Sequence, residues 1–303
     1  MTSAVSLVEC PRDAFQGLPG FIPTEVKVRH LKNIITAGIG EIDFGSFVSP
    51  KAVPQMADTE DVLRRLCEEV AELPKLIAII ANERGLDRAI QARDSIRGSP
   101  LAGFAVGYPL SISETFQKNN TGKTIAESWP LVESLQRRSA DAGIDLIVYL
   151  SMGFGNPYGE PWSPETVADF ARRLADLGVR TISLADTVGR ANADQVRETF
   201  AAVHSALSTQ HSALTIGAHF HAAPHAWLDN VRAAFDAGCR RFDASLGGYG
   251  GCPFAQDELV GNIPMEHVVA MFEKMGVRMG VSRAALDPAL ASAREVFDRY
   301  GHA

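Results

Sequence analysis

Residues 176–185 read "DLGVRTISLA", and the same grammar recurs along the chain. It returns in "TAGIGEIDF" at 36–44, "DAGIDLIVYL" at 141–150 and "DAGCRRFDASL" at 236–246. Each segment is a helix end, then a glycine, then an apolar run. A glycine at that place supplies the left-handed residue that closes a helix. The glycines are Gly38, Gly143, Gly178 and Gly238. Repetition of helix end, glycine and strand means βα modules and a parallel sheet.

Short apolar runs at 6–10, 41–46, 76–81, 103–107, 145–151, 181–186, 214–221 and 241–246 read as strands. Amphipathic stretches such as "TEDVLRRLCEEVAEL", "SPETVADFARRLADLG" and "HAWLDNVRAAFDAG" lie between them. Thr59 before Glu60 and Asp61, and Ser163 before Pro164 and Glu165, read as helix starts. Eight such modules without a linker predict one (β/α)8 TIM barrel over residues 1–303, a single catalytic domain. An open doubly wound sheet is weakened by the absence of GxGxxG after the first strand.

Composition agrees with a globular α/β chain. Of 303 residues, 46% are hydrophobic and 21% charged. The net charge of −7 is spread out, with no basic block, so neither nucleic acid nor an anionic membrane is the expected partner. The N-terminal residues lack the pattern of a signal peptide, and no apolar run approaches the ~20 residues of a membrane span. Cys10, Cys67, Cys239 and Cys252 are scattered without a CxxC pair, which argues against a disulfide framework or structural zinc. The expected compartment is a reducing cytoplasm.

In a barrel of this kind, chemistry sits where strands end. The first strand is followed by Arg12, Asp13 and Gln16, and the second carries Asp43, then Ser46 and Lys51. Ser113, Glu114, Lys118 and Asn119 follow the fourth, and the sixth ends at Asp186. The seventh ends in His219 and His221, two positions apart and hence on one face. The eighth runs into "GGYGGCPFAQ" with Cys252, and Asn262 follows. A lone HxH also fits two hydrogen-bonded interior histidines, and Asp186 also fits a helix cap. Asp43, inside an apolar run, needs a buried partner. The clustering at one end favours a site. One carboxylate, two imidazoles and one amide oxygen from Asp13, His219, His221 and Asn262 make a ligand set without thiolate. Such a set suits Mg²⁺ or Mn²⁺. Cys252, in a glycine-rich loop, can be carried over the site.

The segments "PRDAFQ", "SFVSPKAVPQMAD", "FQKNNTGKTIAES", "FGNPYGEP", "ADTVGRA", "HFH" and "GGCPFAQ" resemble the 3-hydroxy-3-methylglutaryl-CoA lyase family, in order along almost the whole chain. The resemblance implies a divalent-metal-dependent carbon–carbon lyase acting on an acyl-CoA, a reaction of leucine degradation. It places metal ligands at Asp13, His219, His221 and Asn262. It implies catalytic roles for Arg12, Asp186 and Cys252, with Asp43 where the family usually has a glutamate. Proton abstraction then falls to His219, Asp43 or Asp186. Substrate contacts are expected from Arg12, Gln16, Ser46, Lys51, Ser113, Lys118 and Asn119. Ala14, Gly17, Leu18 and Ala222 also depart from the family pattern near the site and bear on the acyl group accepted. A related condensing enzyme or aldolase, or a non-catalytic metal-binding descendant, are the alternatives. A homodimer is compatible with the sequence.

Overall fold

The computed structural model describes residues 4–99, 101–207, 214–223, 225–251 and 260–301. The strands are β1 (Ser6–Glu9), β2 (Glu41–Ser46), β3 (Leu73–Ile79), β4 (Leu101–Ser111), β5 (Asp145–Ser151), β6 (Thr181–Asp186), β7 (Thr215–Ala222), β8 (Arg241–Ala244) and the short β9 (Gly261–Asn262). Their hydrogen-bonded order is β6-β5-β4-β3-β2-β1-β8-β7-β9, and β6 also pairs with β7. The first eight strands thus form the closed ring of a (β/α)8 barrel, as the glycine repeat predicts. All four repeat glycines have positive φ, from 68° at Gly143 to 101° at Gly238. Each lies just past a helix end, at α2 (Thr24–Thr36), α6 (Ile125–Asp141), α7 (Pro164–Asp176) and α9 (Trp227–Asp236).

The chain contains two compact units. One holds residues 1–106, 244–250 and 264–303, and the other holds 107–243 and 251–263. In the first, α1 (Pro11–Phe15) follows β1 directly, and Pro11 starts it without losing a needed N–H. Ala14 and Phe15 bury themselves with Ile22, Val26, Met56 and Val296, which sets the direction of the short helix. Phe15 is 3% exposed, and burying a side chain of that size contributes about 1.5–3 kcal/mol. In the second unit, α8 (Ala193–Leu207) buries Val196, Phe200, Val203 and Leu207, the spacing of one helical stripe. No helix among the described residues is long and apolar enough to cross a membrane.

Two expectations need correction. Strand β3 starts at Leu73 and β4 runs from Leu101 to Ser111, both beyond the expected bounds. Pro74 and Lys75 interrupt the apolar signal at the start of β3. Ser163 caps α7, accepting from Thr166 N. Thr59, as expected, starts α3 (Thr59–Glu69), with Asp58 at the cap position. Its hydroxyl is diverted: it accepts from Ser46 N at 3.0 Å and donates to Met56 O at 2.9 Å.

Candidate active site

In the first unit, α1 carries Arg12 and Asp13 just past the end of β1, and Asp43 lies on β2. Arg12 is 8% exposed and Asp43 1%. The guanidinium has five N–H donors. Nε donates to Asp43 Oδ1 at 3.2 Å and Oδ2 at 3.0 Å, and Nη2 also donates to Oδ2. Nη1 donates to Asp13 Oδ1 at 3.0 Å and to Gln16 Oε1 at 3.1 Å. That uses one hydrogen on Nε, one on Nη2 and two on Nη1, and leaves one on Nη2 without a partner among the described residues. Gln16 Nε2 in turn donates to Asp13 Oδ1 at 2.9 Å. Burial alone would lower the Arg12 pKa, but the charges of Asp43 and Asp13 outweigh it and push it up. Arg12 therefore stays a cation, fixed in position, with a donor to spare.

The same unit holds a pair of acids that the sequence reading missed. Glu9 ends β1, is 1% exposed, and accepts from Leu246 N at 2.9 Å. Glu266 accepts from Gly247 N at 3.0 Å. Burial, then the nearby Glu266, raises Glu9 well above the ordinary carboxylate range, against the Leu246 hydrogen bond that lowers it. Together they fasten the turn that follows β8 and leads toward Cys252. That cysteine lies outside the described residues.

In the second unit, the register sets side chains in rows. Ser183 on β6, Gly217 on β7 and Arg241 on β8 lie side by side, and Ala185, His219 and Asp243 form the next row. Alternation brings His221 to the same face, one row further. The two imidazoles meet with Nε2 to Nε2 at 3.1 Å. His219 Nδ1 lies 3.3 Å from Asp243 Oδ2. The second oxygen of that carboxylate accepts from Arg241 Nη1 at 2.7 Å, and Ser183 Oγ donates to Oδ2 at 3.1 Å. Burial works to raise the Asp243 carboxyl, but Arg241 first and His219 next hold it below its ordinary range. The antiparallel pair of β7 with β9 sets Asn262 opposite His221. Both are buried, at 4% and 3% exposed.

Asp186 ends β6 at 1% exposed. Its oxygens accept from Arg190 N at 2.9 Å and Ala191 N at 2.8 Å, so it also shapes the turn after the strand. Burial pushes its carboxyl up to about 6, although those two backbone donors and His221 pull the other way. The "FGNPYGEP" turn is tied to the start of α5 (Glu114–Thr121), because Glu160 accepts from both the N–H and the hydroxyl of Thr115. Phe116, Met152 and Val188 pack beneath.

The remaining expected contacts divide by depth. Ser46 is buried and committed to the backbone, with its hydroxyl on Ile79 O at 3.2 Å. Ser113 caps α5 by accepting from Phe116 N. Lys51 and Asn119 are exposed, and Lys118 pairs with Glu114 at 3.2 Å on the helix surface. Asp243 and Arg241 were not anticipated. Their signal was available: two charged residues at alternate positions in the apolar run "RRFDASL".

A family model described as HMGL-like matches residues 5–290. An (R)-citramalyl-CoA lyase of Chloroflexus aurantiacus is 33% identical over 93% of this chain and 88% of its own. A hydroxymethylglutaryl-CoA lyase of Bacillus subtilis is 31% identical over 96% of this chain and 91% of its own. A solved HMG-CoA lyase from Acinetobacter baumannii, in complex with coenzyme A and 3-methylmalate, superposes with a TM-score of 0.84 at 31% identity. It covers all of this chain (100%) and 94% of that one.

Proposed function

This chain belongs to the HMGL-like family and is a hydroxymethylglutaryl-CoA lyase-like enzyme, and from that premise we propose that it cleaves a 3-hydroxy-3-methylglutaryl-type CoA thioester into acetyl-CoA and a β-keto acid. The whole chain acts as one catalytic domain, with Mg²⁺ or Mn²⁺ as its cofactor. The observation that carries the reading is the histidine pair: two Nε2 atoms at 3.1 Å, with Nδ1 of His219 backed by a buried carboxylate. That is how imidazoles are oriented toward a metal. His219 and His221 would hold the ion with the amide oxygen of Asn262, and the carboxylate we assign to the same ion is Asp13.

A divalent ion held there would supply Lewis acidity, lowering the pKa of the substrate's 3-hydroxyl. The residues do the rest. Asp186 is the base that takes the hydroxyl proton. Burial raises its carboxyl to about 6, closer to what a general base needs near neutral pH, whereas Asp43 is ion-paired with Arg12. As the proton leaves, the oxygen forms a carbonyl and the C2–C3 bond breaks. Its electron pair passes into the enolate of acetyl-CoA. The spare Nη2 hydrogen of Arg12 stabilises the charge on that enolate oxygen. Cys252 returns a proton to the enolate carbon, balancing the one lost by the hydroxyl. CoA contacts are assigned to Lys51, Lys118 and Asn119, which are exposed, and not to Ser46, which is buried.

A second acyl group has a specific claim, because the Chloroflexus relative is a citramalyl-CoA lyase. A citramalyl thioester has one methylene fewer between carbinol and carboxylate. The test is acetyl-CoA release from a panel holding 3-hydroxy-3-methylglutaryl, citramalyl and longer 3-alkyl thioesters. The reading expects turnover of the methylglutaryl compound or a 3-alkyl analogue. Turnover of citramalyl-CoA alone would move the assignment to the shorter acid. No acetyl-CoA from any of them would overturn the proposal.

A further inference from the structure

We infer that Asp243, clamped by Arg241, is a positioning residue that fixes His219 in the tautomer able to bind metal through Nε2. The inference rests on the reading of His219 as a ligand and adds the group that makes it one. Asp243 is fully buried and Arg241 is 3% exposed. On β8 they are two residues apart and therefore share a face. One carboxylate oxygen takes Arg241 Nη1, while the other faces Ser183 Oγ and His219 Nδ1. An ionised carboxylate only accepts, so Nδ1 of His219 must carry the hydrogen. Its Nε2 then presents a lone pair, and that atom is the one facing His221.

The clamp needs room, and Gly217 provides it. A Cβ there would meet Arg241 Nη1 at 3.2 Å and Ser183 Oγ at 3.4 Å. The guanidinium thus crosses the row beneath the histidine where a Cβ on residue 217 would crowd it. Arg241 also does something a neutral donor would not: it dictates which oxygen of residue 243 must be an acceptor. In Asp243→Asn the amide oxygen is drawn to Arg241, and the amide NH₂ turns toward His219. Nδ1 must then accept, the hydrogen moves to Nε2, and that nitrogen can no longer ligate.

Two readouts test this. The first is the tautomer of His219 in metal-free, ¹⁵N-histidine-labelled protein, by long-range ¹H–¹⁵N correlation. The native protein is expected to show Nδ1–H, and Asp243→Asn to show Nε2–H. The second is Mn²⁺ affinity by electron paramagnetic resonance, expected to fall roughly 10–100-fold in Asp243→Asn. Ser183→Ala, which leaves the Asp243–His219 bond in place, should stay within about twofold of native. A native Nε2–H tautomer overturns the inference without needing any variant to fold. So does an Asp243→Asn protein with unchanged tautomer and native Mn²⁺ affinity. If the tautomer switches as expected but native protein takes up no Mn²⁺, the positioning role stands and the metal reading fails instead.

Discussion

The Arg12 and Arg241 regions use one device for two ends. Each pairs a buried arginine with a buried aspartate on a strand, Asp43 on β2 and Asp243 on β8. At Arg12 the aspartate holds the arginine, and the arginine keeps the Nη2 hydrogen that we assign to the enolate. At Arg241 the arginine holds the aspartate, and the aspartate turns to a histidine. A buried ion pair is weak evidence for stability, because desolvation consumes most of the attraction. What it supplies here is orientation: a fixed donor in one case, a fixed tautomer in the other.

Arg241→Met leaves the fully buried Asp243 without its main countercharge, and removing one partner of such a pair costs about 3–5 kcal/mol. Urea unfolding at pH 7 should show that loss. A change under ~1 kcal/mol would mean that Asp243 is not left as an uncompensated buried charge. Arg12→Gln probes the other end. If the spare Nη2 hydrogen meets the enolate oxygen, kcat falls ~10²–10³-fold with KM little changed. A rise in KM alone would assign Arg12 to ground-state binding.

His30 sharpens the contrast, because there the fold keeps a buried group neutral. Burial pushes it down to about 4 from an ordinary 6.5, and Nδ1 lies 3.0 Å from Ser292 Oγ. A depressed histidine contributes stability above its unfolded pKa, and that stability is lost as pH falls from about 6.5 toward 4. Over such a window the loss is about 3 kcal/mol. In His30→Gln the acid-side slope between those pH values should flatten, measured by urea midpoints. An unchanged slope would show that other groups set acid stability. The smallest effect is expected at the surface. The exposed Lys118–Glu114 pair is worth under ~1 kcal/mol, so Lys118→Ala should leave stability nearly unchanged. A several-fold rise in KM for the thioester would still mark Lys118 as a CoA contact.

The barrel was legible because its punctuation is chemical. Positive-φ glycines at 38, 143, 178 and 238 mark where helices stop, and the strands at 145–151 and 181–186 follow with the expected bounds. The start of β3 was not legible, since Pro74 and Lys75 look like loop. Neither was β9, whose two residues are too few for any periodicity. In the site, the rule that a buried carboxylate needs a partner singled out Asp43. Applied to "RRFDASL", it would have found Asp243. Arg241 and Asp243 meet by their i, i+2 spacing on β8, but that Asp243 meets His219 depends on strand register, and that Asp43 meets Arg12 on where α1 follows β1, which no single strand encodes. Depth was equally hidden: Ser46 and Lys51 are five positions apart, one buried and one exposed.

The most direct test of the account is acetyl-CoA release from 3-hydroxy-3-methylglutaryl-CoA by protein stripped with chelator, before and after a divalent ion is returned. The histidine pair and its backing carboxylate predict no release in chelator. They predict recovery of turnover on adding Mg²⁺ or Mn²⁺, and no recovery in His221→Ala. Undiminished release in chelator, or full recovery in His221→Ala, would contradict the account.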